Sequence, residues 1–327
     1  MTDLQMPSLR RAPVNGLDMA YYEVGPRQGA PVIFCHGFPE IAFSWRHQLK
    51  AFEAAGRWAV APDQRGYGLT TGPAGVADCD MEHLTGDLVG LLDHLGVEKA
   101  IFCGHDWGGF VVWQMPLMHP DRCAGVIGLN TPFLARYPIE PIELFRRAYG
   151  EEMYIVKFQP PGEAEAILEE NVEKSMRFFM RRPAPATPEN VSQPKADGRP
   201  AFALLEALQA FDTADNANQL LTPEQLAVFV DSFERSGFTG GVNWYRNFTR
   251  NWERSGHLPT RIDGPPCLMI MAENDAVLPP SMADGMEERV GDLEKALIRG
   301  SGHWTQQEKP QEVSGVILDW MDRRFPR

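Results

Sequence analysis

The chain of 327 residues holds only five cysteines, Cys35, Cys79, Cys103, Cys123 and Cys267, an odd number without regular spacing. That scarcity excludes a disulfide framework and a zinc-ligand pattern. All but Cys79 lie in or beside apolar, strand-like runs, where a free thiol behaves as a small hydrophobe. Positive charge is short as well: 31 Lys and Arg stand against 44 Asp and Glu, a formal net charge of −13. This balance argues against nucleic acid or an anionic membrane as a partner. No apolar run is long enough to span a bilayer, and Met1 to Arg10 lack the apolar core of a secretion signal. The expectation is a cytoplasmic protein, with neither metal nor cofactor and no membrane association.

What is present is ordinary in composition and informative in order. Hydrophobic residues make up 43% and charged residues 23%, as in soluble globular domains. Met19 to Val24, Pro31 to Cys35, Trp58 to Ala61 and Ala124 to Leu129 read as strands. They alternate with helical spacing at Arg46 to Ala55 and with an amphipathic helix from Glu82 to Leu95. Short strands alternating with helices predict a mostly parallel sheet flanked by helices. After Thr131-Pro132 the rhythm turns helical and aromatic, with a proline-rich break at Arg182-Pro-Ala-Pro-Ala-Thr-Pro188 and a polar stretch to Pro200. It returns with a strand at Cys267 to Met271, a helix near Ser281 to Val290, a strand near Ala296 to Ile298 and a last helix from Pro310 to Met321. The predicted organisation is an α/β core from residues 1–132 and 261–327, interrupted by a helical cap over 133–260.

The sequence also lacks a serine where one is usual. In Gly104-His-Asp-Trp-Gly-Gly109, between a strand-like and a helix-like run, small residues two places either side of Asp106 permit a sharp strand-to-helix turn. Such an elbow lifts one side chain above the sheet. A serine there attacks acyl carbon, whereas a carboxylate displaces a leaving group from saturated carbon and forms an alkyl ester. Asp106 therefore points to hydrolysis of an epoxide or an alkyl halide. Hydrolysing the ester needs a general base near neutral pKa. Of eight histidines, His303 in Gly300-Ser-Gly-His-Trp-Thr305 fits best, on a glycine-rich loop before the last helix. His105 should point away from the elbow tip, His36 should brace its own loop, and His47, His83, His94, His119 and His257 read as solvated or capping. Asp275 is the favoured orienting acid; Glu273 is an alternative, and Asn130, after the preceding core strand, is neutral. The backbone N–H groups of Phe38 and Trp107 are candidates for an oxyanion hole. A halide leaves with weak donors, but an epoxide oxygen needs a proton, and Tyr154 and Tyr245 are phenols able to supply one. Each, taken alone, serves equally well as a packed interface tyrosine.

These segments together resemble the α/β-hydrolase-fold epoxide hydrolases of the soluble type, from about Val32 to Trp320. The matching motifs are His36-Gly-Phe-Pro-Glu40 with Ser44-Trp-Arg46, Asp63-Gln-Arg-Gly-Tyr-Gly68, the elbow, Phe158-Gln-Pro-Pro-Gly162, Asn243-Trp-Tyr-Arg-Asn247, Asp275, and Gly302-His-Trp-Thr-Gln306. The resemblance implies an α/β-hydrolase fold with Asp106 as nucleophile, Asp275 as acid, His303 as base, and Tyr154 and Tyr245 as ring-opening cap tyrosines. It also implies a cis Phe38-Pro39 bond, supporting roles for His36, Pro39 and Trp244, and a small hydrophobic epoxide and water as the reactants. One departure is Lys157-Phe-Gln-Pro-Pro161, where the family often has an aromatic and then an acidic residue. Haloalkane or fluoroacetate dehalogenation on the same fold is the competing chemistry, with a non-catalytic ligand-binding protein the reading from another class.

Overall fold

The computed structural model describes residues 4–182 and 202–326, so most of the proline-rich break and the polar stretch to Pro200 lie outside the described residues. Eight described strands, β1 (Leu9–Val14), β2 (Leu17–Val24), β3 (Val32–Cys35), β4 (Ala59–Pro62), β5 (Ala100–His105), β6 (Cys123–Leu129), β7 (Cys267–Ala272) and β8 (Leu293–Ile298), form one sheet. Their spatial order is β1-β2-β4-β3-β5-β6-β7-β8, antiparallel at the β1–β2 and β2–β4 pairs and parallel from β4 onward.

The central strands are buried on both faces, so their sequences are apolar runs rather than alternations. Ile33, Val60, Phe102 and Val126 pack into one layer of core with Leu88, Leu91 and Leu92 of α2 (Met81–Leu95). Their neighbours Val32, Phe34, Ala59, Ile101 and Ile127 pack into the other, with Leu49 and Phe52 of α1 (Arg46–Ala54) and with Ile317 and Trp320 of the helix Pro310–Arg324. The helix α2 starts on Asp80, whose side chain accepts from His83 N–H, and stops at Gly96, whose φ of 72° lets the chain leave the helix. All five cysteines are free and buried.

Two sequence expectations need correction. The strand β1 was not anticipated, because an edge strand carrying Arg10, Arg11 and Pro13 lacks the apolar pattern of the interior ones. The helix expected near Ser281 to Val290 is instead two short 3-10 turns, Pro280–Ala283 and Met286–Glu288. Pro279 and Pro280 lead into the first, and Gly285, with a φ of 70°, breaks the chain between them.

Helices occupy the described chain between β6 and β7 and lie over the carboxyl ends of the strands. Their seat on the core is at the loop after β4. Gly66 and Gly240 meet backbone to backbone: a Cβ on Gly66 would lie 2.7 Å from Gly240 Cα, and one on Gly240 would lie 2.2 Å from Gly66 O. Around this contact Trp244 Nε1 donates to Arg65 O (3.1 Å), Asn243 Nδ2 to Ala74 O (2.8 Å) and Asn247 Nδ2 to Val76 O (2.7 Å). Arg65 itself is fixed beneath by a buried, bidentate pair with Asp87 (2.7 Å for each bond). Among the described residues no helix is long and apolar enough to cross a membrane.

Candidate active site

In an open parallel sheet the ligand sits beyond the carboxyl ends of the strands. His36 follows β3, Asp63 follows β4, Asp106 follows β5, Asn130 follows β6, and Asp275 and His303 lie on the loops after β7 and β8. The turn from β5 into α3 (Trp107–Met118) is made by Asp106 at φ 51° and ψ −120°, a conformation unusual for a non-glycine residue. It exists because the flanking glycines admit it. A Cβ at Gly104 would lie 2.1 Å from Gly108 O, and one at Gly108 would lie 2.1 Å from Cys35 O. Thr131 Oγ1 donates to Asp106 O (2.7 Å), tying the turn to the end of β6.

The Asp106 carboxyl is buried and asymmetric in its contacts. Oδ1 accepts the Phe38 N–H at 2.8 Å, across a cis Phe38-Pro39 peptide, while Oδ2 faces His303 Nε2 at 3.8 Å, beyond direct hydrogen-bond reach. Burial raises its pKa; His303, His105 and the N–H groups of Phe38 and Trp107 oppose that rise by favouring the anion. His303 Nδ1 pairs with Asp275 Oδ2 at 2.9 Å. Burial alone would weaken the imidazolium, but Asp275 and then Asp106 outweigh it and push the His303 pKa up to about 9. Asp275 is held well below the usual carboxylate range: the desolvation that works against its charge is overcome by His303, by Asn130 and by backbone N–H bonds. Its Oδ1 accepts from Val277 N (2.8 Å) and Leu278 N (3.0 Å), and its Oδ2 also accepts from Asn130 Nδ2 (2.6 Å). Glu273 instead accepts from Gly300 N (2.8 Å).

Tyr154 and Tyr245 come from two different helices, Tyr154–Lys157 and Thr239–Tyr245, and their rings meet at 5.8 Å in a T-shaped contact. Tyr245 also lies edge-on to Trp107 at 5.0 Å and to Phe38 at 5.4 Å. Burial, reinforced by the nearby negative charges, drives both phenols well above their ordinary pKa, so both carry their protons at neutral pH. Asp106, Tyr154, Tyr245, Asp275 and His303 line one cleft of about 400 Å³, roofed by Phe178, Phe179 and Leu204. The structure thus gathers these five sequence candidates into one cavity. His36 and Trp244 stand behind it. His36 Nε2 accepts from Gln64 N (3.0 Å) and its Nδ1 donates to Gly37 O (3.0 Å), and burial lowers its pKa, which leaves a neutral ring bracing the Phe38 loop.

Comparisons with known proteins show the family. Residues 30–310 match the family model described as the alpha/beta hydrolase fold. Over 319 residues the chain is 40% identical to epoxide hydrolase A of Mycobacterium tuberculosis (strain ATCC 25618 / H37Rv), covering 96% of this chain and 97% of that one. It belongs to the epoxide hydrolases of the α/β-hydrolase fold. The crystal structure of epoxide hydrolase A from Mycobacterium thermoresistibile superposes with a TM-score of 0.84 at 39% identity, over 96% of this chain and 98% of that one. The chain is also 36% identical over 312 residues to the bifunctional epoxide hydrolase 2 of Sus scrofa; that match takes in 94% of this chain and 54%, about half, of the longer relative.

In this epoxide hydrolase, sequence reasoning passed over the support beneath the site. Glu40 is fully buried, and its Oε2 accepts from His105 Nδ1 (2.7 Å) and Gly37 N (3.0 Å) while its Oε1 accepts from Gln306 Nε2 (2.8 Å). Those partners hold its pKa down to about 2 despite burial. The other nitrogen of His105 lies 2.7 Å from His303 O. His105 thus bridges Glu40 and the His303 backbone, and its ring links the elbow to the His303 loop. Residues 40, 105 and 306 are too far apart in sequence for any local signal; the short Glu40-to-Gly37 spacing was the sole hint. His119, expected to be solvated or capping, is half-buried and lies 3.1 Å from Thr85 Oγ1. Glu40→Ala removes one partner of the fully buried Glu40–His105 pair and is expected to destabilise the fold by roughly 3–5 kcal/mol. Urea unfolding of the two proteins measures it; a loss below about 1 kcal/mol would mean that the pair contributes little.

Proposed function

We propose that the protein hydrolyses a hydrophobic epoxide to a vicinal diol through a covalent ester on Asp106. The single observation that carries this reading is the pair of protonated phenols, Tyr154 and Tyr245, lining the same cleft as a carboxylate on an elbow. With Oδ1 engaged by the Phe38 N–H, Oδ2 is the attacking atom. The Oδ2–carbon bond forms as the epoxide C–O bond breaks, and the released oxygen takes a proton from a tyrosine. Esterification removes the charge on Asp106 that had helped to raise the His303 pKa; the imidazolium proton passes to the tyrosinate, which restores the phenol and leaves a neutral imidazole as the base. Water then attacks the ester carbonyl carbon and gives its proton to His303, a step that the 3.8 Å separation supports by leaving the contact to a bridging molecule. Oδ1 becomes the oxyanion, and the N–H groups of Phe38 and Trp107 stabilise it; one such donor is worth about 10²–10³ in rate. Collapse breaks the ester C–O bond, the leaving alkoxide takes the proton held on His303 to complete the diol, and the carboxyl proton left on Asp106 passes to His303, restoring the carboxylate. The surrounding Phe38, Phe178, Phe179 and Leu204 favour an apolar substrate body.

The test is the intact mass of His303→Gln after separate exposure to a hydrophobic epoxide and to a matched bromoalkane. Expected is an added mass equal to the whole epoxide, persisting because the ester is made but not hydrolysed. Labelling by the bromoalkane alone, with bromide lost, would assign dehalogenation instead. No adduct from either would favour a non-catalytic ligand-binding role.

A further inference from the structure

Among the described residues, a cleft larger than the one that holds Asp106 lies elsewhere. A cavity of about 590 Å³ opens between α3, the segment after β6 and the helix Phe248–Arg254, within the roughly 300–1,000 Å³ typical of small-molecule sites. Its inner surface is apolar, with Phe110, Leu117, Phe133 and Phe248. None of the five candidate catalytic side chains lines it. Aromatic rings separate the clefts. Phe110 and Phe248 face the larger cavity, and each packs on Trp107, at 5.3 and 5.0 Å; Trp107 also meets Tyr245 at 5.0 Å, and Phe248 lies 6.3 Å from Tyr245.

The exposed lip of this cavity carries a cation without an anion. The Arg136 guanidinium lies 4.1 Å from the centre of the Trp252 ring, and its Nε donates to Trp252 O at 3.0 Å. Among the described residues it has no carboxylate partner, whereas Arg254 at the same cavity is paired with Asp80 and Glu82. An arginine stacked over an aromatic ring, with Nε already used, leaves its terminal N–H groups free as a fork, and carboxylate is one of the groups that such a fork matches. Arg181 is held in the same way at the catalytic cleft, over Phe178 and Phe211 with its Nε donating to Phe178 O (2.9 Å), so each cleft has one such cation. We propose that this cavity is a second ligand site, taking a monoanionic amphiphile whose carboxylate rests on Arg136 and whose alkyl chain lies against Phe110, Phe133 and Phe248.

The probes are decanoate and, as its neutral counterpart, 1-decanol, titrated calorimetrically into the whole chain. Decanoate is expected to bind, and Arg136→Gln to weaken it at least about tenfold while leaving 1-decanol unchanged. Leu117→Trp, which narrows the cavity, should weaken binding of both. Epoxide turnover measured without decanoate should stay at the wild-type level in Arg136→Gln, which reports a folded protein. Because Arg181 and Arg182 line the catalytic cleft, Arg181→Gln is the control for binding there, and it should leave decanoate affinity intact. The proposal is overturned if decanoate does not bind the wild type, if Arg136→Gln binds it equally well, or if Arg181→Gln rather than Arg136→Gln removes it. It needs no result about the epoxide chemistry, so its failure and a failure of the proposed catalytic route are separate events.

Discussion

Asp106→Ala is expected to lower epoxide turnover by on the order of 10⁴–10⁶-fold, the scale seen when a nucleophile is deleted from an otherwise intact catalytic unit. The size follows from the lack of a substitute. His303 Nε2 stands 3.8 Å from the carboxylate and is placed to activate water against an ester, not against the epoxide carbon. Direct attack by water on that carbon has no group in the cleft arranged to assist it from the side of the elbow. Alanine keeps the Cβ that already occupies the φ 51° position, so the turn is not asked to adopt a new conformation. The decisive comparison is Asp106→Ala combined with His303→Gln: the adduct that accumulates in the single His303 variant should be absent by intact mass. An adduct that persists in the double variant would put the nucleophile elsewhere, and turnover within tenfold of wild type would remove the covalent route altogether.

The paired substitution Tyr154→Phe with Tyr245→Phe should lower epoxide turnover by at least about 10³-fold, within the range of roughly 10²–10⁴ that a positioned general acid contributes. Either single change should cost less, because the remaining phenol still reaches the leaving oxygen. Without both, the ring opens to a bare alkoxide in an apolar cleft, where an unpaired anion is strongly disfavoured. Phenylalanine preserves the T-shaped contacts of Tyr245 with Trp107 and Phe158, at 5.0 Å each, so the thermal midpoint should move little. A bromoalkane adduct in the His303→Gln background should survive the loss of both hydroxyls, since halide departs without a proton. Diol formation at the wild-type rate would reduce the tyrosines to packing residues.

The parts of this molecule that could be read from the chain are those whose causes are local. The elbow announces itself because a sharp turn needs Gly104 and Gly108 within two residues of Asp106, and the buried strands because each is a short apolar run. The loops carrying Asp106, Asp275 and His303 follow from where those runs end. Glu40, His105 and Gln306 were illegible for the opposite reason: their bond pattern exists only after three distant loops have met. Asn130 was read as a neutral residue that excluded an acid; its amide in fact donates to Asp275, a relation visible only in space. The edge strand β1 and the broken helix near 281–290 failed on composition, the first too polar and the second interrupted by proline and glycine.

The contact of Gly66 with Gly240 fixes a dimension. Where two main chains touch, nothing compressible lies between them, so the height of the Thr239–Tyr245 helix above the sheet is set by the van der Waals radius of a peptide. Side chains elsewhere in the covering helices are free to grow, shrink or change shape, and the cleft with them. The tyrosine on that helix does not travel with those changes. Substrate preference in this scaffold can therefore drift over successive substitutions while the reach of Tyr245, the proposed proton donor, stays constant.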